Sequence, residues 1–185
     1  MEWKLSGISP PASGCGLGQA KQGRQGRQGR IGMNAATVAE IDFPWTDQYL
    51  LGFSPMDAHH REFVDTLNAL ATAAQDDVLT MLDKFIEATE EHFHQENDWM
   101  VKHAFPPRDC HMAEHQAVLR TLYEARGMVV MGRTDFLLGM IKALTEWFPG
   151  HADHLDSALA QWMTKKTHGG IPVVLKRLAR EQTAE

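Results

Sequence analysis

The chain has 185 residues, 43% of them hydrophobic and 23% charged, which suits one domain with a filled core and room for tails. No apolar run approaches the roughly 18 residues that cross a bilayer, and no apolar stretch of the secretory kind follows Met1-Glu2-Trp3-Lys4, so a cytoplasmic protein with no membrane contact is expected. The net charge of −6 is uneven: residues 1–33 carry five basic residues and one acidic, the rest 13 basic and 23 acidic, and so acidic a body argues against nucleic-acid binding.

Residues 1–36 are rich in Gly, Gln, Arg and Ser and include Gln22-Gly23-Arg24-Gln25-Gly26-Arg27-Gln28-Gly29-Arg30. Such a segment buries too little apolar surface to offset its ordering entropy, and disorder is expected. It reads either as a basic tail or as an upstream extension ahead of a start at Met33. The second reading is favoured, because the repeat has neither aromatic interleaving nor a helical face. Cys15 and Cys110 are too few for a disulfide framework, and reduced thiols are expected. From Ile41 the composition changes, and Asp42-Phe43-Pro44-Trp45 through Gly52-Phe53-Ser54-Pro55 reads as an extended arm with aromatic anchors.

Four helical segments follow, and a step of about 100° per residue decides which side chains share a face. The first, over about 56–74, carries a stripe of Phe63, Val64, Leu67, Leu70 and Ala71, with His60 inside it and His59 at its edge. In the second, about 77–103, the stripe is Val78, Leu82, Phe85, Ile86, Thr89, Phe93 and Met100, completed by His92 and Glu96. Pro106-Pro107 breaks the chain, and Asp109 is the expected cap of a third helix over about 110–130, whose inner face is His111, His115, Val118, Leu119 and Leu122. After Gly132-Arg133-Thr134 the fourth, about 135–166, presents Leu137, Ile141, Leu144, Phe148, His151, Leu155, Leu159 and Trp162. The expected fold is an all-α, up-down-up-down four-helix bundle with an extended N-terminal arm, spanning 41–168. Residues 169–185, with the short amphipathic piece Val173 to Leu178, are expected to form a C-terminal tail.

Every helix therefore places a histidine or carboxylate where a core residue belongs. A buried polar group without a partner costs several kcal/mol, so several together call for one common explanation, and a metal centre supplies it. His92-x-x-x-Glu96 and His111-x-x-x-His115 each project two ligands from adjacent turns. Five imidazoles (His60, His92, His111, His115, His151) with one or two carboxylates are too many for one tetrahedral zinc and suit two ions with carboxylate bridges.

The joint pattern resembles that of the hemerythrin family in its bacterial single-domain form. It comprises Trp45 with Gly52, Asp57-Ala58-His59-His60, His92-Phe93-x-x-Glu96-x-x-x-Met100, His111-x-x-x-His115 and Trp147-x-x-x-His151-x-x-x-x-Asp156. The resemblance implies a non-haem di-iron centre with a bridging oxo or hydroxo group. His111, His115 and His151 would ligate one iron, His60 and His92 the other, and Glu96 and Asp156 would bridge both. It implies reversible dioxygen binding at the second iron, for storage, sensing or delivery to an oxygen-consuming enzyme. The competing reading is a di-iron enzyme acting as an oxidase, a peroxidase, or in nitric-oxide or iron handling. Imidazole-rich ligation favours the carrier over it.

Asp156 rests on the resemblance alone, since a spacing of five turns it about 140° from His151 on an ideal helix. Pro149-Gly150 is the expected source of a distortion that would relieve this. That pair departs from the family pattern, as does Asn97, where a second Glu commonly stands. His94 and His154 are expected at the surface and His103 at a helix cap. Cys110, one residue off the inner face, is expected to be a packing residue, and Phe63, Val64 and Phe93 to wall the pocket.

Overall fold

The computed structural model describes residue 41 and residues 43–170. The expected disordered tail, Cys15, and the piece from Val173 to Leu178 lie outside those residues. The arm crosses a 3-10 turn at Asp47–Tyr49 and enters helix α1, Ser54–Ala71, with Pro55 in its first turn, where the absent N–H costs nothing. Helix α2 is Val78–Lys102, α3 is Arg108–Val130 and α4 is Leu137–His151; a π turn, Ala152–Asp156, joins α4 to α5, Ser157–His168, in one continuous rod. No strand occurs among the described residues.

The stripes read from the sequence are the buried faces, with three corrections. Asp109 lies in the first turn of α3 and makes no capping bond; Pro107 occupies the cap position, and Asp109 instead favours the helix dipole as a first-turn acid. Leu119 is only half-buried. In the last rod, Leu155 and Trp162 are half-buried, while Asp156, Ala160 and Met163 are buried. The π turn holds one more residue than an α turn, so the inward face slips by one position beyond it.

The apolar core is divided. A large cluster includes Phe63, Leu67, Leu82, Phe85, Leu122, Leu144 and Phe148, and a smaller one includes Phe53, Met56, Met100, Phe105, Leu159 and Met163. Along α1 the order is small cluster, His60, large cluster; along α2 it is reversed around His92 and Glu96; along the last rod it runs from large to small across His151 and Asp156. This alternation makes the bundle up-down-up-down and puts one polar layer between two apolar ones. Each fully buried Phe, Leu or Met contributes about 1.5–3 kcal/mol, whereas an exposed ion pair such as Asp83 with Arg126 between α2 and α3 is screened by water and adds little. The apolar layers therefore hold the bundle closed around the polar one.

Two local features fix the ends. Asp57 accepts the backbone N–H groups of Leu51 at 2.6 Å and Gly52 at 3.1 Å, tying the arm to α1 while Gly52 takes a φ of 77°. After α2, Phe105 N–H donates to Met100 O at 2.9 Å in a Schellman-type closure that puts Ala104 at a φ of 49°, a left-handed conformation disfavoured for a residue with a Cβ. Cys110 is half-buried in the first turn of α3.

Candidate metal centre

The polar layer consists of His60 on α1, His92 and Glu96 on α2, His111 and His115 on α3, His151 at the end of α4 and Asp156 at the end of the π turn, none more than 1% exposed. Their donor atoms fall into two overlapping groups. One holds Glu96, His111, His115, His151 and Asp156; the other holds His60, His92, Glu96 and Asp156. Both carboxylates belong to both groups. Asp156 Oδ2 lies 3.1 Å from His60 Nε2, while its Oδ1 lies 3.0 Å from His111 Nε2 and 3.2 Å from His151 Nε2. Glu96 Oε1 lies 3.2 Å from His92 Nε2, and its Oε2 is 3.3 Å from His115 Nε2 and 3.4 Å from His111 Nε2.

The π turn lets Asp156 take part. Pro149 cannot donate to the carbonyl four residues back, and just beyond it the ladder lengthens, with Ser157 N–H donating to Ala152 O. Winding more residues into the turn returns the fifth one close to the face of the first, so His151 and Asp156 meet despite the spacing of five.

Protein hydrogen bonds do not account for this arrangement. Both oxygens of Glu96, Asp156 Oδ1 and His92 Nε2 are buried without a bond of acceptable geometry, although imidazole or carboxylate atoms stand 3.0–3.4 Å away. His151 Nε2 is 3.2 Å from both His111 Nε2 and His115 Nε2. Metal bonds of about 2.1 Å put adjacent octahedral ligands about 3 Å apart, so converging lone pairs at these spacings fit a cation. The donor set thus fits two metal ions sharing two carboxylates.

Residues 51–163 match the family described as the hemerythrin HHE cation binding domain. The chain belongs to the hemerythrin family. It is 39% identical over 124 residues to a bacteriohemerythrin of Ralstonia nicotianae, a match covering 66% of this chain and 89% of that protein. No solved structure matches it. Membership in the hemerythrins implies non-haem iron binding, and the buried cluster is able to hold metal.

All seven residues that the hemerythrin resemblance singled out come together in this layer. Three of the five imidazoles are also held from behind. His60 Nδ1–H donates to Tyr49 O at 3.1 Å, His115 Nδ1–H to Asn97 Oδ1 at 3.1 Å, and His151 Nδ1–H to Glu114 Oε2 at 3.0 Å. Each such bond fixes the tautomer that leaves Nε2 free to face the layer. Sequence reasoning missed Glu114 and the Tyr49 carbonyl, and it registered Asn97 only as a departure from the hemerythrin pattern.

Burial opposes charge on His151, but Asp156, Glu114 and Glu96 prevail and hold it up at about 10. Burial prevails at His115, which also faces His111 and His151, and falls to about 3. Burial likewise opposes charge on Glu96 and Asp156, yet the surrounding imidazoles keep both carboxyls well below their usual range. Without metal, protons on imidazole thus supply the positive charge that the carboxylates require.

Aromatic rings close the layer. Phe93 stacks on His115 at 3.9 Å between centroids and lies 5.3 Å from His92; Phe148 meets His60 edge-on at 5.2 Å; Trp147 lies 4.3 Å from His151. Of the expected pocket wall, Phe93 adjoins the imidazoles of His92 and His115, Phe63 stands one ring further out, stacked on Phe148 at 4.6 Å, and Val64 is buried. His59 is half-buried and stacks on His92 at 5.7 Å. His94 and His154 are exposed, and His103 caps α2 while its carbonyl accepts Trp162 Nε1–H at 3.0 Å.

Proposed function

We propose that the chain binds dioxygen reversibly at two iron ions held by these seven side chains. The observation that carries the proposal is the asymmetry of the two donor groups: both share Glu96 and Asp156, but one offers three imidazoles and the other two. His111, His115 and His151 would hold one iron, His60 and His92 the other, and the two carboxylates would bridge them. The two-histidine group would offer an iron fewer donors than the other, and dioxygen is expected on that side. When bound, the iron pair supplies reversible two-electron exchange with dioxygen.

The chain's own residues do the rest. Phe93, Phe148 and Trp147 exclude water from the layer, which opposes loss of reduced oxygen and irreversible oxidation. Tyr49 O, Asn97 and Glu114 hold three imidazoles at the orientation that metal binding requires. Residues 41–168 form the proposed oxygen-binding domain, flanked by tails at 1–36 and 169–185, and a cytoplasmic location with delivery to an oxygen-consuming enzyme suits the reading.

The test is anaerobic reconstitution with ferrous iron, admission of dioxygen and its removal. Two irons per chain and a visible charge-transfer band that disappears on deoxygenation are expected. Irreversible oxidation with consumption of a reductant would overturn the carrier in favour of a di-iron enzyme.

A further inference from the structure

The three imidazoles of the larger donor group differ in what their outer nitrogens meet. His111 Nδ1 is buried without a hydrogen-bond partner, His115 Nδ1–H meets a neutral amide oxygen of Asn97, and His151 Nδ1–H meets the carboxylate of Glu114. The Asn97 orientation follows from chemistry: a ligating Nε2 needs its lone pair, Nδ1 then carries the hydrogen, and the amide must offer oxygen. Glu114 does more than one task with one atom, because the same Oε2 accepts Trp147 Nε1–H at 3.3 Å and so fixes the indole beside His151. Its side chain is 28% exposed while that of His151 is 0%, which keeps the carboxylate in touch with water and puts its charge directly behind a buried ring.

A carboxylate pulling on Nδ1–H makes an imidazole a stronger electron donor through Nε2, and an amide oxygen pulls less. We propose that Glu114 and Asn97 are a graded pair of positioning residues that set the electron richness of the three-histidine metal position, Glu114 favouring the oxidised ion and the neutral Asn97 limiting that bias. The inference rests on the di-iron reading above. It assigns the two residues a role on the electronic side of oxygen binding, beyond holding the rings in place.

The two residues allow substitutions of opposite charge sense and nearly unchanged shape. Glu114→Gln removes the charge yet keeps one carbonyl oxygen able to accept both N–H groups; Asn97→Asp adds a charge behind His115. The full chain, loaded with iron, is examined by redox titration and by the rate of iron release to a ferrous chelator. Glu114→Gln is expected to shift the ferric/ferrous equilibrium about tenfold toward ferrous, about 59 mV upward for one electron, and Asn97→Asp to shift it downward. Glu114→Ala, which also loses the anchor, is expected to release iron about 10–100-fold faster, with release returning close to wild type in Glu114→Gln. Shifts of the same sign in the two charge variants, or none in either, would overturn the proposal even with release rates altered, because an effect on structure alone has no reason to follow charge. Wild-type protein that takes up no iron pair would instead sink the di-iron reading, so the two failures are told apart.

Discussion

The two sides of the polar layer are built differently. His115 and His151, on the three-histidine side, are backed by side chains of neighbouring helices, and both carry an aromatic ring against one face, Phe93 at 3.9 Å and Trp147 at 4.3 Å. On the two-histidine side, His60 is backed by a main-chain carbonyl of the arm, and His92 Nδ1 has no hydrogen-bond partner. Each side has one ring with an unpartnered Nδ1, His111 and His92, but the other rings of the first side are fixed by side chains of the bundle, while that of the second is fixed only by the arm that lies across it. A fixed ion is best served by the first construction, and an ion that must accept and release a ligand by the second.

The largest effect is expected where the two sides join. Glu96→Ala removes a carboxylate common to both donor groups, and iron analysis after gel filtration should fall from two ions per chain toward none. Full retention would mean that Glu96 bridges nothing. Next, His92→Ala should lose the ion on the two-histidine side and keep the other, giving about one iron per chain and no reversible oxygen band, whereas His151→Ala should disturb both through the loss of its contact with Asp156. Equal losses in the two variants would erase the distinction between the sides.

A smaller effect tests the arm. Asp57→Ala frees the N–H groups of Leu51 and Gly52, and thermal unfolding should show a loss of about 1.5–3 kcal/mol. Iron release should quicken at the two-histidine side in particular, since Tyr49 O would no longer be held behind His60. The smallest effect should come at Ala104, whose φ of 49° suits glycine: Ala104→Gly is expected to stabilise by about 0.5–1 kcal/mol in the same melt, with iron content unchanged.

Six of the seven residues of the polar layer were legible in the sequence because each interrupts an apolar stripe at helical spacing, and the stripes themselves named most of the core. Asp156 was legible only through the family resemblance, since ideal α geometry turns it away from His151, and the π turn that corrects this has no periodic signature. The same turn moved burial from Leu155 and Trp162 to Asp156 and Met163. The supports behind the imidazoles were harder to read. Glu114 looks like any polar residue on the flank of a helix, and its partner is 37 residues away. Tyr49 acts through its backbone carbonyl, which carries no trace of side-chain identity. Asn97 was visible as an oddity, but the ring it supports lies on another helix.

The π turn would also tie the winding of the last rod to the loading of the proposed metal layer. Its carboxylate and its preceding imidazole stand 3.2 Å apart only while Ser157 N–H reaches back five residues to Ala152 O. An ion held by both side chains would therefore clamp the widest ring in the last rod and restrain the backbone there. Amide exchange around Ser157 would then act as a gauge of occupancy, slow in the loaded chain and fast once the layer is emptied.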